Sequence, residues 1–129
     1  MSTLASTICC WSLQPLLTLL PEASAWKPPL ALTWMTVLPG WIDYNGHMTE
    51  SRYLHAGTIT IDAFLHHIGA DIAYVGTGFS YYTAETHIMH LDEAKLGDAL
   101  TGTVQVLHAD EKRLHLFIRI LKGFRPSIF

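Results

Sequence analysis

Trp41-Ile42-Asp43-Tyr44-Asn45-Gly46-His47-Met48-Thr49-Glu50-Ser51-Arg52-Tyr53-Leu54 marks the point where the chain changes from strand-like to helical patterning. Before it, residues 33–41 are apolar and extended and end at Pro39-Gly40, which reads as an edge or entry strand feeding a loop. Asp43 to His47 is dense in turn formers. Thr49 suits a helix N-cap, and Glu50 lies in the first turn, where a negative charge complements the positive end of the helix dipole. Beyond it, Leu54, Gly57, Ile61, Phe64, Leu65 and Ile68 recur at helical spacing, and Gly69 stands where a left-handed C-terminal residue belongs. The β-branched run at 58–61 opposes a helix locally. Spacing sustained over twenty residues outweighs a deficit of a few tenths of a kcal/mol per residue.

After Gly76-Thr77-Gly78 come three strand-like runs, at 79–91, 99–108 and 113–121. In the last, Leu114, Leu116, Ile118 and Ile120 alternate with His115, Phe117 and Arg119 at period two. Short polar stretches at 92–98 and 109–112 read as turns joining successive antiparallel strands. Strand, long helix and meander make an α+β fold with the helix laid on one face of an antiparallel sheet. The break at Trp26-Lys27-Pro28-Pro29 sets the expected boundary: residues 1–32 an extension or linker with no assigned domain, residues 33–129 one domain.

Composition narrows the function. The 129 residues are 50% hydrophobic and 15% charged, which suits a folded core and excludes disorder. Eight Lys+Arg against eleven Asp+Glu, with no basic run, speak against a nucleic-acid partner. Cys9 and Cys10 are the only cysteines, so no disulfide framework staples residues 11–129, and a reducing, cytoplasmic setting is expected. The apolar residues 13–20 followed by Ala23-Ser24-Ala25 are the competing, signal-peptide-like feature. No Lys or Arg precedes them and Pro15 interrupts them, so no membrane association is expected.

Serine-hydrolase, P-loop and zincin motifs are absent. Glu85, His87 and His90 form the densest group of metal-ligating types, but 87 and 90 fall on opposite faces of a strand, so no metal is expected. That leaves the loop at 43–47, which sets a carboxylate and an imidazole at a helix N-terminus. Backbone N–H groups there can polarise a carbonyl, and a nearby carboxylate can activate water or attack directly. Asp43 and Asn45 equally suit a turn, with His47 as a structural hydrogen-bonder.

Asp43-x-x-Gly46-His47-Met48, followed by Arg52-Tyr53-Leu54 opening a long helix, resembles the hotdog-fold acyl-CoA thioesterases of the 4-hydroxybenzoyl-CoA thioesterase type. Together with Tyr81-Tyr82-Thr83-Ala84-Glu85-Thr86-His87-Ile88 and Asp110-Glu111-Lys112-Arg113-Leu114-His115, it is most similar to the thioesterases associated with carnitine dehydrogenase, which act on betainyl-CoA. The similarity spans about residues 37–120. It implies a hotdog homodimer or homotetramer with sites between subunits, an antiparallel sheet wrapped on one central helix, and hydrolysis of an acyl-CoA thioester without metal or redox cofactor. It also implies a strand after residue 121 that the chain's last residues do not resemble. The alternative is a non-catalytic hotdog module that binds acyl-CoA or only oligomerises.

Carried over by position, Asp43 is general base or nucleophile, and Gly46 and His47 complete the catalytic motif through backbone approach and hydrogen bonding. Trp41, Tyr44, Asn45, Met48, Tyr53, Tyr82 and Glu85 are the candidate substrate-binding residues. A quaternary ammonium acyl group needs aromatic faces, which Trp41, Tyr44, Tyr53, Tyr81 and Tyr82 offer and which also serve a core.

Overall fold

A computed structural model describes residues 2–10, 29–70, 72–76, 78, 81–109 and 113–123. Its elements are β1 (Ser2–Cys10), β2 (Leu30–Thr36), a 3-10 turn (Pro39–Trp41), α1 (Glu50–His67), the short α2 (Ile72–Gly76), β3 (Tyr81–His90), β4 (Ala99–Ala109) and β5 (Arg113–Lys122). The five strands form one sheet in the order β2-β4-β5-β1-β3, every neighbouring pair antiparallel. α1 packs on its face, giving the sheet wrapped on a central helix that the hotdog resemblance implies.

β5 shows why the sheet takes this face. Leu114, Leu116, Ile118 and Ile120 are buried and the residues between them are not, so the period-two pattern becomes one dry side. Against it lies the stripe of α1 made by Tyr53, Ala56, Gly57, Thr60, Ile61, Phe64 and Leu65, continued by Ile68 beyond the helix end. Phe64 and Leu65 are fully buried, each contributing about 2–3 kcal/mol by removal from water. The stripe is one residue out of the expected register at its start: Tyr53 is inside and Leu54 is 44% exposed. The β-branched run stays helical, with the hydroxyls of Thr58 and Thr60 donating to the Leu54 and Ala56 carbonyls one turn back. Helix and sheet are tightly packed at Gly102 of β4. A Cβ there would collide with the hydroxyls of Thr60 and Thr33, which hydrogen-bond each other at 2.8 Å. At the helix end the Ala70 N–H bonds to the Leu65 carbonyl and the Gly69 N–H to that of His66, with Gly69 at φ 90°. This is the expected Schellman closure.

Three expectations about the sheet change. The first strand begins at Leu30 and ends at Thr36, and the chain then makes the 3-10 turn rather than remaining extended to residue 41. Ser2–Cys10, inside the segment expected to stand outside the domain, is a strand lying between β5 and β3. β3 is therefore not hairpinned to β4. Residues 91–98 are a crossover that carries the chain across the end of the sheet, past β1 and β5, whereas β4 and β5 are a true antiparallel pair. A polar eight-residue stretch suits either role, and strand pairing, not the stretch itself, decides. The place of a strand following β5, residues 124–129, lies outside the described residues, as does the apolar stretch at 13–20.

Candidate active site

The loop before α1 is closed by local hydrogen bonds. The Asp43 N–H donates to the His47 carbonyl at 2.9 Å, the Gly46 N–H to the Asp43 carbonyl at 3.1 Å, and Ile42 and Met48 form an isolated bridge. Gly46 sits at φ 79°, a left-handed conformation that favours glycine. One carboxylate oxygen of Asp43, Oδ1, accepts the N–H groups of Asn45 at 2.8 Å and His47 at 3.4 Å. The side chain read as catalytic is thus also the one that ties the turn, and the tie fixes its orientation.

α1 starts without a side-chain cap: Thr49 has extended backbone angles but its hydroxyl makes no capping bond, so no side chain covers the first-turn N–H groups. The Arg52 N–H is taken by the Thr49 carbonyl, and the Thr49 N–H by the Trp41 carbonyl. Two open cavities meet at this helix end. One, of about 390 Å³, is lined by Asp43, His47, Met48, Glu50, Tyr53, His90, Asp92 and Glu93. The other, of about 510 Å³, runs along the first turn past Thr49, Glu50, Ser51 and Leu54 to Ile88 and His90 of β3. They share Glu50 and His90.

The crossover supplies the opposite wall. The Met48 N–H donates to the Ala94 carbonyl at 2.8 Å, and the Ala94 N–H donates to the Tyr53 hydroxyl at 2.9 Å, in a position where Ala94 is only 3% exposed. With Ala94 pinned, Glu93 reaches His47, Oε2 to Nε2 at 3.1 Å. On the other side of the groove His90 packs edge-on to the Tyr53 ring and lies 3.9 Å from Glu50 Oε1. Lys122 closes the outer end, its ammonium donating to the Glu93 carbonyl at 2.8 Å and standing 3.2 Å from Asp92. The Glu93 N–H on the Asp92 carboxylate, then the Lys122 hydrogen bond, hold that carboxyl below its ordinary range.

The groove brings together Asp43, His47, Met48 and Tyr53 of the sequence-predicted set. Met48 and Tyr53 form its buried floor. Gly46 shapes the loop. Trp41 is buried behind it, edge-on to His55 and 5.8 Å from the Arg52 guanidinium, a packing position. Tyr44, 97% exposed, and the exposed Asn45 stand at the loop tip. Tyr82 and Glu85 lie on the exposed stretch of β3, roughly 26 Å and 16 Å along the strand from His90, outside this chain's groove. Glu50, His90, Asp92 and Glu93 were not anticipated. In the sequence Glu50 reads as a dipole partner and His90 as one of a group of metal-ligating types, while Asp92 and Glu93 enter the groove only because 91–98 is a crossover. Among the described residues no three His, Cys, Asp or Glu side chains are grouped to hold a metal ion.

Residues 37–127 match the family model of the thioesterase-like superfamily, more than half of the chain. The chain belongs to this superfamily. A bifunctional L-carnitine dehydrogenase/betainyl-CoA thioesterase of Rhizobium meliloti is 60% identical over 92 residues, covering 71% of this chain and 18% of that protein. A betainyl-CoA thioesterase of Pseudomonas aeruginosa is 41% identical over 81 residues, 62% of this chain and 51% of that one. Among solved structures, a Staphylococcus aureus protein in complex with CoA superposes with a TM-score of 0.69 at 29% identity, over 74% of this chain and 61% of that one. The chain thus spans between about a fifth and a half of the length of these curated relatives. The superfamily match takes in the entry loop, α1, the crossover and β3 to β5, but neither β1 nor β2.

Proposed function

We propose that this chain hydrolyses an acyl-CoA thioester to the free acid and CoA, with betainyl-CoA as the leading substrate. The observation that carries the reading is the Asp43 carboxylate, oriented by two backbone N–H groups at the mouth of a groove that opens on the uncapped N-terminus of α1. The betainyl-CoA thioesterase relatives supply the substrate class. In this mechanism the thioester carbonyl is aimed at the first turn of α1, whose N–H groups and dipole stabilise the oxyanion. Asp43 either takes a proton from water as it adds to the carbonyl carbon, or attacks that carbon itself and is freed by water in a second step. In the first route the C–S bond breaks as the tetrahedral adduct collapses; in the second it breaks as the acyl–Asp43 anhydride forms, before water hydrolyses that anhydride. In both, the sulfur leaves with a proton as CoA thiol. His47, held by Glu93, hydrogen-bonds the reacting groups.

A homodimer or homotetramer with sites between subunits is part of the proposal, because it gives the exposed Tyr82 and Glu85 of β3 a neighbour's groove to serve. A cytoplasmic setting rests on the cysteine-free stretch 11–129. Among the described residues no helix is long and apolar enough to cross a membrane.

The test is CoA release from betainyl, short-chain, long-chain and aromatic thioesters by wild type and Asp43→Asn side by side. Asparagine keeps the oxygen that accepts from Asn45 and His47, so the loop stays and only the charge is lost. Turnover is expected to fall about 10²- to 10⁴-fold with CoA binding retained. Equal turnover would leave Asp43 as the turn residue its Oδ1 contacts also describe, whereas no turnover of any thioester by either protein would favour a module that binds acyl-CoA without hydrolysis.

A further inference from the structure

We propose that the space between β3 and β5 is an acceptor slot for one antiparallel strand, that the chain's own Ser2–Cys10 is its occupant, and that this strand holds the β3 wall of the groove in place. Among the described strands β3 is hydrogen-bonded to β1 alone, while β1 is paired on both sides, over Ser2 to Cys10 with β3 and over Ser2 to Cys9 with β5. The superfamily match, residues 37–127, contains β3, β4 and β5 but not β1. Among the described residues of the matched span, no strand pairs with β3, which carries Ile88 and His90. The strand that pairs with this wall of the groove lies, like β2, outside the matched residues.

Chain geometry favours occupation within one molecule. The register sets Leu30 level with Val104, Ile118 and Leu4, three strand spacings from β1 and six residues along it from Cys10. Those offsets amount to about 25 Å, whereas residues 11–29 can extend over about 60 Å. The tether reaches with slack to spare. Ser2–Cys10 carries no charged residue, no Pro and no Gly, a composition that tolerates pairing on both edges. Its two seams differ. The register against β5 is unbroken, whereas against β3 it shifts between Thr7 and Ile8, so separation is expected to begin at the β3 seam.

The full-length chain tests this in two ways. Cys9 is opposite Tyr82 and Cys10 opposite Tyr81. Tyr82→Cys combined with Cys10→Ser, and Tyr81→Cys combined with Cys9→Ser, each leave one thiol on either strand. Adjacent cross-strand pairs alternate in geometry, and one of the two suits a disulfide. Mild oxidation with oxidised glutathione is expected to close a disulfide within a single chain in at least one of the variants, seen by mass spectrometry. No intrachain disulfide in either variant, or disulfides only between two chains, would overturn the assignment. Independently, Ser6→Pro removes a ladder N–H in the middle of β1. Hydrogen exchange at 81–90 is expected to accelerate at least tenfold while the β4–β5 ladder stays protected. Unchanged protection of β3 would overturn the holding role.

Discussion

Two loops meet at the N-terminus of α1, and they are held in opposite ways. Apart from the Met48 N–H, which reaches the Ala94 carbonyl, the entry loop, 42–48, is closed by bonds between residues no more than six apart, from Asp43 to Asn45, Gly46 and His47 and from Ile42 to Met48. The crossover, 91–98, has local bonds at each end, but its position is set by partners far away in sequence: Tyr53 and Met48 for Ala94, Lys122 for Glu93, Val37 for Gly97 and Asp98. The first loop can form almost on its own. The second takes its place only when helix and sheet have already met, and the His47–Glu93 contact exists only where the two come together.

Substitutions can separate the two. Gly102→Ala should have the largest effect, because it forces α1 off β4 and disturbs both loops at once; about 3 kcal/mol of stability should be lost, read from the urea midpoint. Tyr53→Phe should release only the crossover. It leaves the buried Ala94 N–H without its acceptor, at a cost of about 1–3 kcal/mol, with faster exchange at the Ala94 amide and little change at Gly46. Gly46→Ala should do the reverse, costing about 1–2 kcal/mol through the left-handed backbone angle while the Ala94 amide stays protected. The smallest effect belongs to Asp92. Its carboxyl is lowered in the folded state, so its contribution is present above the unfolded carboxylate pKa of about 4 and is lost as pH falls through the folded value. Asp92→Asn should lower the urea midpoint slightly at neutral pH, leave it unchanged well below a pH of about 4, and so flatten its dependence on pH between the two.

The same division decides what could be read in advance. The helix from Glu50, its Gly69 closure, the alternation along β5 and the turn at 43–47 follow from rules that act within a few residues, and all are present. Leu54 was misplaced because a leucine and a tyrosine one position apart both fit an apolar stripe, and only packing against His90 and Ala94 selects Tyr53. Glu93 is not legible as a groove residue because Asp92-Glu93 between two strand-like runs has the composition of a hairpin turn, and His90 reads only as one of a group of metal-ligating types on a strand. Which strand enters beside β5 is a competition between distant segments, and no local pattern reports its outcome. Half of the groove is therefore local information and half is topology.

The placement of β1 also bears on how the chain reaches this state. Ser2 is level with Ile120, so a pairing in the middle of the sheet closes a loop of more than a hundred residues. Contacts of such sequence separation form late, after the entropy of closing the loop has been met. On a ribosome the strand emerges well before either of its neighbours exists and waits, uncharged and unpaired, until β5 is made. Folding yield should accordingly depend on translation rate and on chaperones more than the stability of the finished sheet suggests.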